Sequence, residues 1–388
     1  MGFELNPSQM ELVKRIKSYI RNQDKPFYYY SGRAGTGKTT VIRKVLDDLD
    51  LQQGEYICCA YIGKAVMVLL RKGYTACTLH SLMYETIIDT TIDTVINENG
   101  DEVKKKKSTF RFKLKKELPE NLKLIIVDES KMVPDKMIME LLSFGKPIIF
   151  MGDINQLPPV MGSSTILSKP DYELNDIMRQ AEDDPIVILA NRILDNKPIQ
   201  YGEYGLSKVV RTVPFDKTLL TDYDVIICGR NKTRDYYNQH IRSDILRMRP
   251  DRIYVGEKLI CRQNNWDESI GGIYLTNGTV GFVEDIHYDT MTKWSLDIDF
   301  RPDFMDECFE ELSLDRRYFY LPYDERQNYG ISRYNKFEFG YALTTHLVQG
   351  SEFPDVLYID EWMHDEDLTR ALRYTAVTRA ERSITIVM

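Results

Sequence analysis

Three short stretches carry residue types at spacings suited to phosphate chemistry. In the first, Ser31 to Thr40 (SGRAGTGKTT), residues Gly32 to Thr39 spell G-x-x-x-x-G-K-[ST]. Gly32, Gly35 and Gly37 let the amides around Thr36 turn toward one point. The helix opening at Thr39-Thr40 adds its positive N-terminus, and Lys38 can reach β- and γ-phosphates. Thr39 offers a hydroxyl to Mg²⁺. The alternative, a glycine-rich turn without a ligand, has no need of such a lysine. In the second stretch, the apolar run LKLIIV ends in Asp128-Glu129. Downstream of a phosphate loop, such a pair supplies a cation partner in Asp128 and a base for an attacking water in Glu129. In the third, GDINQ, Gln156 emerges on a turn before Pro158-Pro159, within reach of a γ-phosphate; an ordinary βα loop is the alternative.

The intervening elements must bring these stretches together. PFYYY (26–30) reads as a buried strand, Thr39–Leu49 as a helix, Glu55–Ile62 as a strand and Lys64–Arg71 as a helix. Leu122–Val127 and Pro147–Met151 are further strands. This is the βαβ rhythm of a parallel sheet that binds ligands at its strand C-termini. Upstream, LNPSQ offers Asn6 as N-cap and Pro7 as first helical residue of a run to Ile20. Gln9 then reads, taken alone, as an exposed helix residue, although its amide has the donor and acceptor an adenine edge needs. His80, after a short apolar run, reads alone as structural or solvent-facing.

The rhythm breaks between Met83 and Pro119. Ile87–Ile96 is rich in β-branched residues, NENGDE is turn chemistry and Phe110–Leu114 alternates, so a β-hairpin insertion is expected. From Asp101 to Glu117, eight basic residues meet three acidic ones. They make either a solvated face or a protrusion near a nucleic-acid strand, with Phe110 or Phe112 able to stack on a base. A second α/β unit follows. It has a helix-like stretch around Arg179-Gln180, a strand at Asp224–Cys228 and a basic helix at Asn231–Arg247. Tyr341–Thr345 and Val356–Asp360 continue it, with a helix at Leu372–Ala380 and a last strand at Ile384–Val387. Between 256 and 334, short strands, an Asn277-Gly278 turn and many aromatics point to a small β-barrel-like insertion.

A chain of 388 residues with 43% hydrophobic and 28% charged content has room for two large domains. No run is long enough for a transmembrane helix, the N-terminus lacks a secretory pattern, and six scattered cysteines suit a reduced, cytoplasmic setting. A net charge of −8 excludes a surface basic all over but leaves room for a local nucleic-acid groove.

As an ordered set, LNPSQ, GRAGTGKTT, VDES, GDINQLPPV, ALTTHLVQGSEF and YTAVTRA resemble the motifs of superfamily 1 DNA helicases of the 5′-to-3′ branch, the group containing RecD and the phage helicase Dda. The resemblance runs from Leu5 to Val387. It implies an α/β fold of two RecA-like P-loop domains, 1–83 plus 121–178 and 179–255 plus 335–388. A β-hairpin pin (84–120) interrupts the first and an SH3-like β insertion (256–334) the second. It implies an ATP-dependent, Mg²⁺-dependent helicase acting on single-stranded DNA and on junctions of single and double strands. Such a chain works as a monomer, with replication or recombination proteins as possible partners and no membrane.

By position, the resemblance gives Gln9 to adenine, Lys38 and Thr39 to phosphate and Mg²⁺, Asp128 to the metal, and Glu129 to the catalytic base. Gln156 senses the γ-phosphate, and Arg179 and Arg379 are cationic clamps. Gly350 and Glu352 approach the nucleotide. Gly63, Lys64, Thr78, His80, Thr344 and His346 touch the DNA strand. Ser130 departs from the alanine common after Asp-Glu, and Leu347-Val348 from a polar or basic pair. A translocase without strand separation shares every nucleotide motif. A passive nucleotide binder would need neither Glu129 nor Arg379.

Overall fold

The computed structural model describes residues 5–96, 102–157, 165–178, 181–250, 252–271, 273–287, 294–321, 325–326, 329 and 334–388. The first domain is built on strands β1 (Tyr28–Gly32), β2 (Tyr56–Ala60), β3 (Ala76–Thr78), β6 (Leu124–Val127), β7 (Ile148–Gly152) and β8 (Tyr172–Leu174). They form one parallel sheet in the order β3-β2-β6-β7-β1-β8. Both faces are covered, so the strands read as unbroken apolar runs. Alternate residues serve opposite cores: Tyr28, Tyr30, Ile126 and Ile149 pack under α1 (Pro7–Asn22) and α2 (Lys38–Asp48), whereas Tyr29, Ile125, Val127 and Phe150 pack on α5 (Asp135–Leu142). Because β6, β7 and β1 are neighbours, the segments after their C-termini emerge side by side. Those segments carry Asp128-Glu129, Asp153–Gln156 and the phosphate loop.

The hairpin consists of β4 (Tyr84–Ile96) and β5 (Glu102–Leu114), in unbroken antiparallel register from Tyr84↔Leu114 to Ile96↔Glu102. The second strand is longer than its alternating part suggested, because the run Lys104–Lys107 also pairs with β4. The turn residues 97–101 lie outside the described residues.

The second domain has β9 (Gly202–Tyr204), β10 (Ser207–Val210), β11 (Val225–Cys228), β19 (Ala342–Thr344), β20 (Phe353–Ile359) and β21 (Ala380–Val387), ordered β19-β11-β20-β21-β10-β9. All neighbours are parallel except β9 with β10. The stretch expected to be helical around Arg179 has no regular structure at 175–178. The helix α6 begins only at Pro185, capped by the Asp184 carboxylate. The last helix, α9 (Glu366–Val377), stops three residues short of its expected C-terminal end.

The insertion comprises β12 (Lys258–Cys261), β13 (Asn265–Ile270), β14 (Ile273–Leu275), β15 (Val280–His287), β16 (Ser295–Pro302), β17 (Phe309–Asp315) and β18 (Phe337–Phe339). Five strands form an antiparallel sheet, β17-β16-β15-β12-β18, around Leu259, Phe300 and Phe337, while β13 and β14 form a separate hairpin. Strand β18 pairs with β12 and lies beyond residue 334, so the insertion's sheet runs to Phe339. Among the described residues, β17 and β18 are joined by no ladder, only by the bridge Leu314↔Asn335 beside them.

Candidate nucleotide cleft and nucleic-acid interface

The phosphate loop follows β1 and turns through Gly35 (φ 78°) and Gly37 (φ 74°). A side chain at Gly37 would also meet Met178 and Gln9, since a Cβ there would stand 2.6 Å from the Gln9 amide nitrogen, so only glycine fits. Lys38 Nζ donates to the carbonyls of Gly32 (2.7 Å) and Arg33 (3.3 Å), folding back over its own loop. Thr36 Oγ1 donates to Arg33 O, and the Tyr30 hydroxyl donates to Lys38 O, pinning loop and helix to the sheet. Thr39 and Thr40 occupy the first turn of α2.

Gln9 is 1% exposed rather than solvent-facing. The reason is a capping box: Asn6 accepts from Gln9 N, and Gln9 Oε1 accepts from Asn6 N. This turns the amide inward, and Nε2 donates to Thr36 O at 2.9 Å.

At the end of β6, Glu129 adopts φ 46°, a left-handed conformation costly for a residue with a Cβ. Its N–H donates to Asp128 Oδ1 at 2.8 Å. Burial and the neighbouring Glu129 carboxylate push the Asp128 carboxyl up to about 6, against the pull of Lys38. The Ser130 side chain is wholly buried, and its hydroxyl has no hydrogen-bond partner among the described residues. Asp153 Oδ1 accepts from the Asn155 amide and side chain, shaping the turn on which Gln156 sits.

The second domain supplies Arg379. It lies in the turn between α9 and β21, is 3% exposed, and donates to the carbonyls of Thr375 (3.1 Å) and Ser351 (3.2 Å). Its guanidinium comes within 4.0 Å of Glu129 Oε1. Gly350 (φ 70°) lies against Ile62 and Met132 of the first domain. Glu352 stands near Glu381, whose carboxyl is raised by burial and by Glu352. Arg179 lies outside the described residues.

On the other side, a cleft of about 330 Å³ brings together Gly63, Lys64 and His80 of the first domain, His346 of the second, and Arg262 and Trp266 of the insertion. Gly63 and Lys64 open helix α3 (Gly63–Arg71). Thr78, buried, caps the short helix α4 (Leu79–Met83) by accepting from Ser81 N, and Thr344 is buried at the end of β19. Lys64 is not free: its ammonium pairs with Asp303 at 2.9 Å and lies 3.8 Å above the Phe353 ring. His80 stands among rings, with centroids 4.4 Å from Trp266, 5.7 Å from Tyr61 and Tyr84, and 5.9 Å from Phe112. Burial pushes its imidazole down to about 4, so it is neutral near pH 7. Phe112 also meets Trp266 edge-on at 4.8 Å, so the hairpin base rests on the insertion. Phe110 pairs with Ile88 along the hairpin ladder. Motif reading had not singled out Trp266, Asp303 or the second-domain residues Tyr374, Thr375 and Gln349. The YTAVTRA and HLVQG strings contain the last three, and the stretch GEKLICRQNNW, which resembles the same family's second domain, ends in Trp266.

Among the described residues, no helix is long and apolar enough to cross a membrane. A family model described as an AAA domain matches residues 4–211, and one described as a UvrD-like helicase C-terminal domain matches 339–387. The chain is 27% identical over 380 residues to the ATP-dependent RecD2 DNA helicase of Deinococcus radiodurans, covering 90% of this chain and 45% of that one. It therefore spans under half the length of that relative. Among solved structures, it resembles Bacteroides Pif1 helicase in complex with ADP-AlF3 and ssDNA, with TM-score 0.50 and 17% identity over 99% of this chain and 92% of that one. A structure of two coordinating Pif1 helicases at forked dsDNA gives TM-score 0.52, 17% identity and the same coverage. The likeness to these solved structures shows a RecA-like α/β fold.

Proposed function

We propose, for a chain that belongs to the AAA domain family and is a superfamily 1 helicase of the RecD- and Pif1-like type, that it hydrolyses ATP between its two α/β domains to move along single-stranded DNA and unwind duplex. The observation that carries this reading is the approach of Arg379, buried in the second domain, to Glu129 at the end of β6 in the first. A passive binder gains nothing from a buried arginine aimed across a domain boundary at a carboxylate.

The residues present suit Mg²⁺ and nucleotide. Two carboxylates crowd each other, one of them raised to about 6, and Lys38 rests on carbonyls. Both are arrangements that an arriving cation and an arriving polyphosphate relieve. Mg-ATP brings the phosphoanhydride bond and the cation that offsets its charge. Lys38 and the amides around Gly35 and Gly37 would hold phosphate, and Thr39 and Asp128 the cation. Glu129 would orient water and accept its proton, and Gln156 would face the γ-phosphate. Arg379, joined by Arg179, would offset charge developing at the reacting phosphorus, a device worth on the order of 10³ to 10⁵ in rate in other NTPases. Gln9 would meet adenine, and Gly350 and Glu352 would serve the same cleft.

The strand would lie along Gly63, Lys64, Thr78, His80, Thr344 and His346. The hairpin would part the duplex with Phe110 or Phe112, backed by an SH3-like insertion. Contact between Phe112 and Trp266 supports that pairing. Travel from 5′ to 3′ rests on the family resemblance.

The test is steady-state ATP hydrolysis with and without single-stranded DNA, followed by unwinding of duplexes tailed at the 5′ or 3′ end. Strong stimulation with unwinding from the 5′ tail alone is the expected outcome, abolished by Lys38→Ala and Glu129→Gln. Stimulation without unwinding would leave a translocase, and no stimulation would sink the reading.

A further inference from the structure

The second domain also reaches the phosphate loop through a residue that none of the chemistry above uses. Tyr374, on α9, is fully buried. Its hydroxyl accepts the N–H of Ala34, inside the loop, at 2.9 Å and donates to Oδ2 of Asp153, at the end of β7. Its partners stand 340 and 221 residues away, so both bonds exist only while the two domains are together. Asp153 is 2% exposed, and its other oxygen shapes the turn carrying Gln156. Beyond Gln156, both polar backbone atoms of Leu157 are also taken by the second domain. Its N–H donates to Thr375 Oγ1 at 2.9 Å, and its carbonyl accepts from Gln349 Nε2 at 2.8 Å. The Asp153–Leu157 turn is thus gripped at both ends, and Gln156 sits between the grips. Of these second-domain groups, Tyr374 is the one that touches the phosphate loop as well. Burial and Asp153 raise its phenol well above the ordinary value, so it stays a donor.

We propose that Tyr374 is a positioning residue that locks the phosphate loop to the Asp153–Leu157 turn when the domains close, so that hydrolysis depends on it and nucleotide capture does not. This deepens the ATPase reading and rests on it. One oxygen that accepts from one segment and donates to the other fixes both in a single geometry. Partial opening would strand a backbone amide and a buried carboxylate together, and each is costly to leave unpaired. The tie is therefore either made or broken. Capture by Lys38 and the loop amides needs first-domain groups only.

Tyr374→Phe removes the oxygen and keeps the ring. The expected result is a KM for ATP, and a Kd for a non-hydrolysable ATP analogue, within about twofold of wild type. The kcat stimulated by single-stranded DNA falls by on the order of tenfold to a hundredfold, the size of a lost hydrogen bond to a charged group. Asp153→Asn gives a similar loss, and the double variant is no worse than the more severe single one, because both act through one bond. Amide hydrogen exchange at Ala34 in the nucleotide-free protein rises in Tyr374→Phe, a readout independent of hydrolysis. An unchanged kcat beside an active wild type, a loss carried by KM, or additive single variants would overturn the role of Tyr374 alone. A wild type whose hydrolysis ignores DNA would overturn the underlying ATPase reading, and this role with it.

Discussion

The second domain meets the first along two seams built from different chemistry. On the nucleotide side, directional hydrogen bonds join buried and half-buried groups, Tyr374 with Ala34 and Asp153 and Thr375 and Gln349 with Leu157, and Arg379 faces the half-buried Glu129 across 4.0 Å. On the strand side, His80 and Phe112 lean on Trp266, Lys64 pairs with Asp303, and Arg71 donates to the Phe304 carbonyl at 3.4 Å. Hydrogen bonds weaken steeply with angle and distance. Aromatic pairs keep their attraction over centroid separations of roughly 4.5–7 Å and several tilts. The first seam therefore behaves as a latch, and the second can slide while staying in contact. The proposed cycle of ATP hydrolysis and movement along a strand would use both behaviours.

Removing the arginine tests the latch most severely. Arg379→Ala should lower DNA-stimulated ATP hydrolysis by about 10³, with single-stranded DNA affinity in the absence of nucleotide little changed. Stopped-flow phosphate release beside fluorescence anisotropy measures both. If hydrolysis persists, the nucleotide seam is not the switch.

The strand-side seam should instead be sensitive to acid. His80 has its folded-state value pushed down to about 4 by burial, against an ordinary value near 6.5. Above pH 6.5 it is neutral whether folded or unfolded. As pH falls from 6.5 to 4, the unfolded chain takes up a proton that the folded site refuses, so stability is lost across that window. At pH 4.5 the loss amounts to about 2–3 kcal/mol. Urea unfolding at pH 7 and pH 4.5 should show it, and His80→Gln should flatten the difference by that amount. An unaltered pH slope in the variant would mean that the ring cluster does not exclude the charge.

Trp266→Ala separates the seams. It deletes ring contacts to His80, Phe112 and Tyr274, each aromatic pair being worth about 0.5–1.5 kcal/mol beyond area burial. Unwinding should fall about tenfold, while DNA-stimulated hydrolysis stays within about twofold. A parallel fall in both would show that the two seams act as one.

The nucleotide half was legible because its grammar is local. Unbroken apolar runs end in Asp128-Glu129 and Gly152-Asp153, and parallel pairing of β6, β7 and β1 then brings Lys38, Glu129 and Gln156 to one edge. Where the expectation missed, the cause was a partner distant in sequence or a competing local bond. Gln9 looked solvent-facing because its burial depends on the capping box with Asn6 and on Thr36. Arg379 looked helical because the apolar spacing of α9 continues to Ala380, yet β21 begins there and leaves the arginine in a turn. Lys104–Lys107 carries no apolar alternation, and only pairing with β4 makes it a strand. Nothing local could reveal that Tyr374 bonds to Ala34.

The smallest expected effect concerns Asp303, which no sequence motif marked. Its Oδ2 holds Lys64, both side chains being mostly buried at 16% and 11% exposure, and its Oδ1 is buried with no hydrogen-bond partner among the described residues. A DNA phosphate arriving at the start of α3 must compete with this carboxylate for the lysine. Asp303→Asn keeps the shape and removes the competitor, so affinity for single-stranded DNA should rise a few-fold at low salt. The gain should shrink as salt rises, because a lysine released from Asp303 adds a screened phosphate contact. Lys258 complicates the stability side. It is buried, pushed down to about 8, and Asp303 is among the groups that support its charge, so the variant should also unfold at a lower temperature. Affinity must therefore be read well below that transition. If the variant binds DNA as wild type does at every salt concentration, Lys64 belongs to the seam between domains and not to the strand's path.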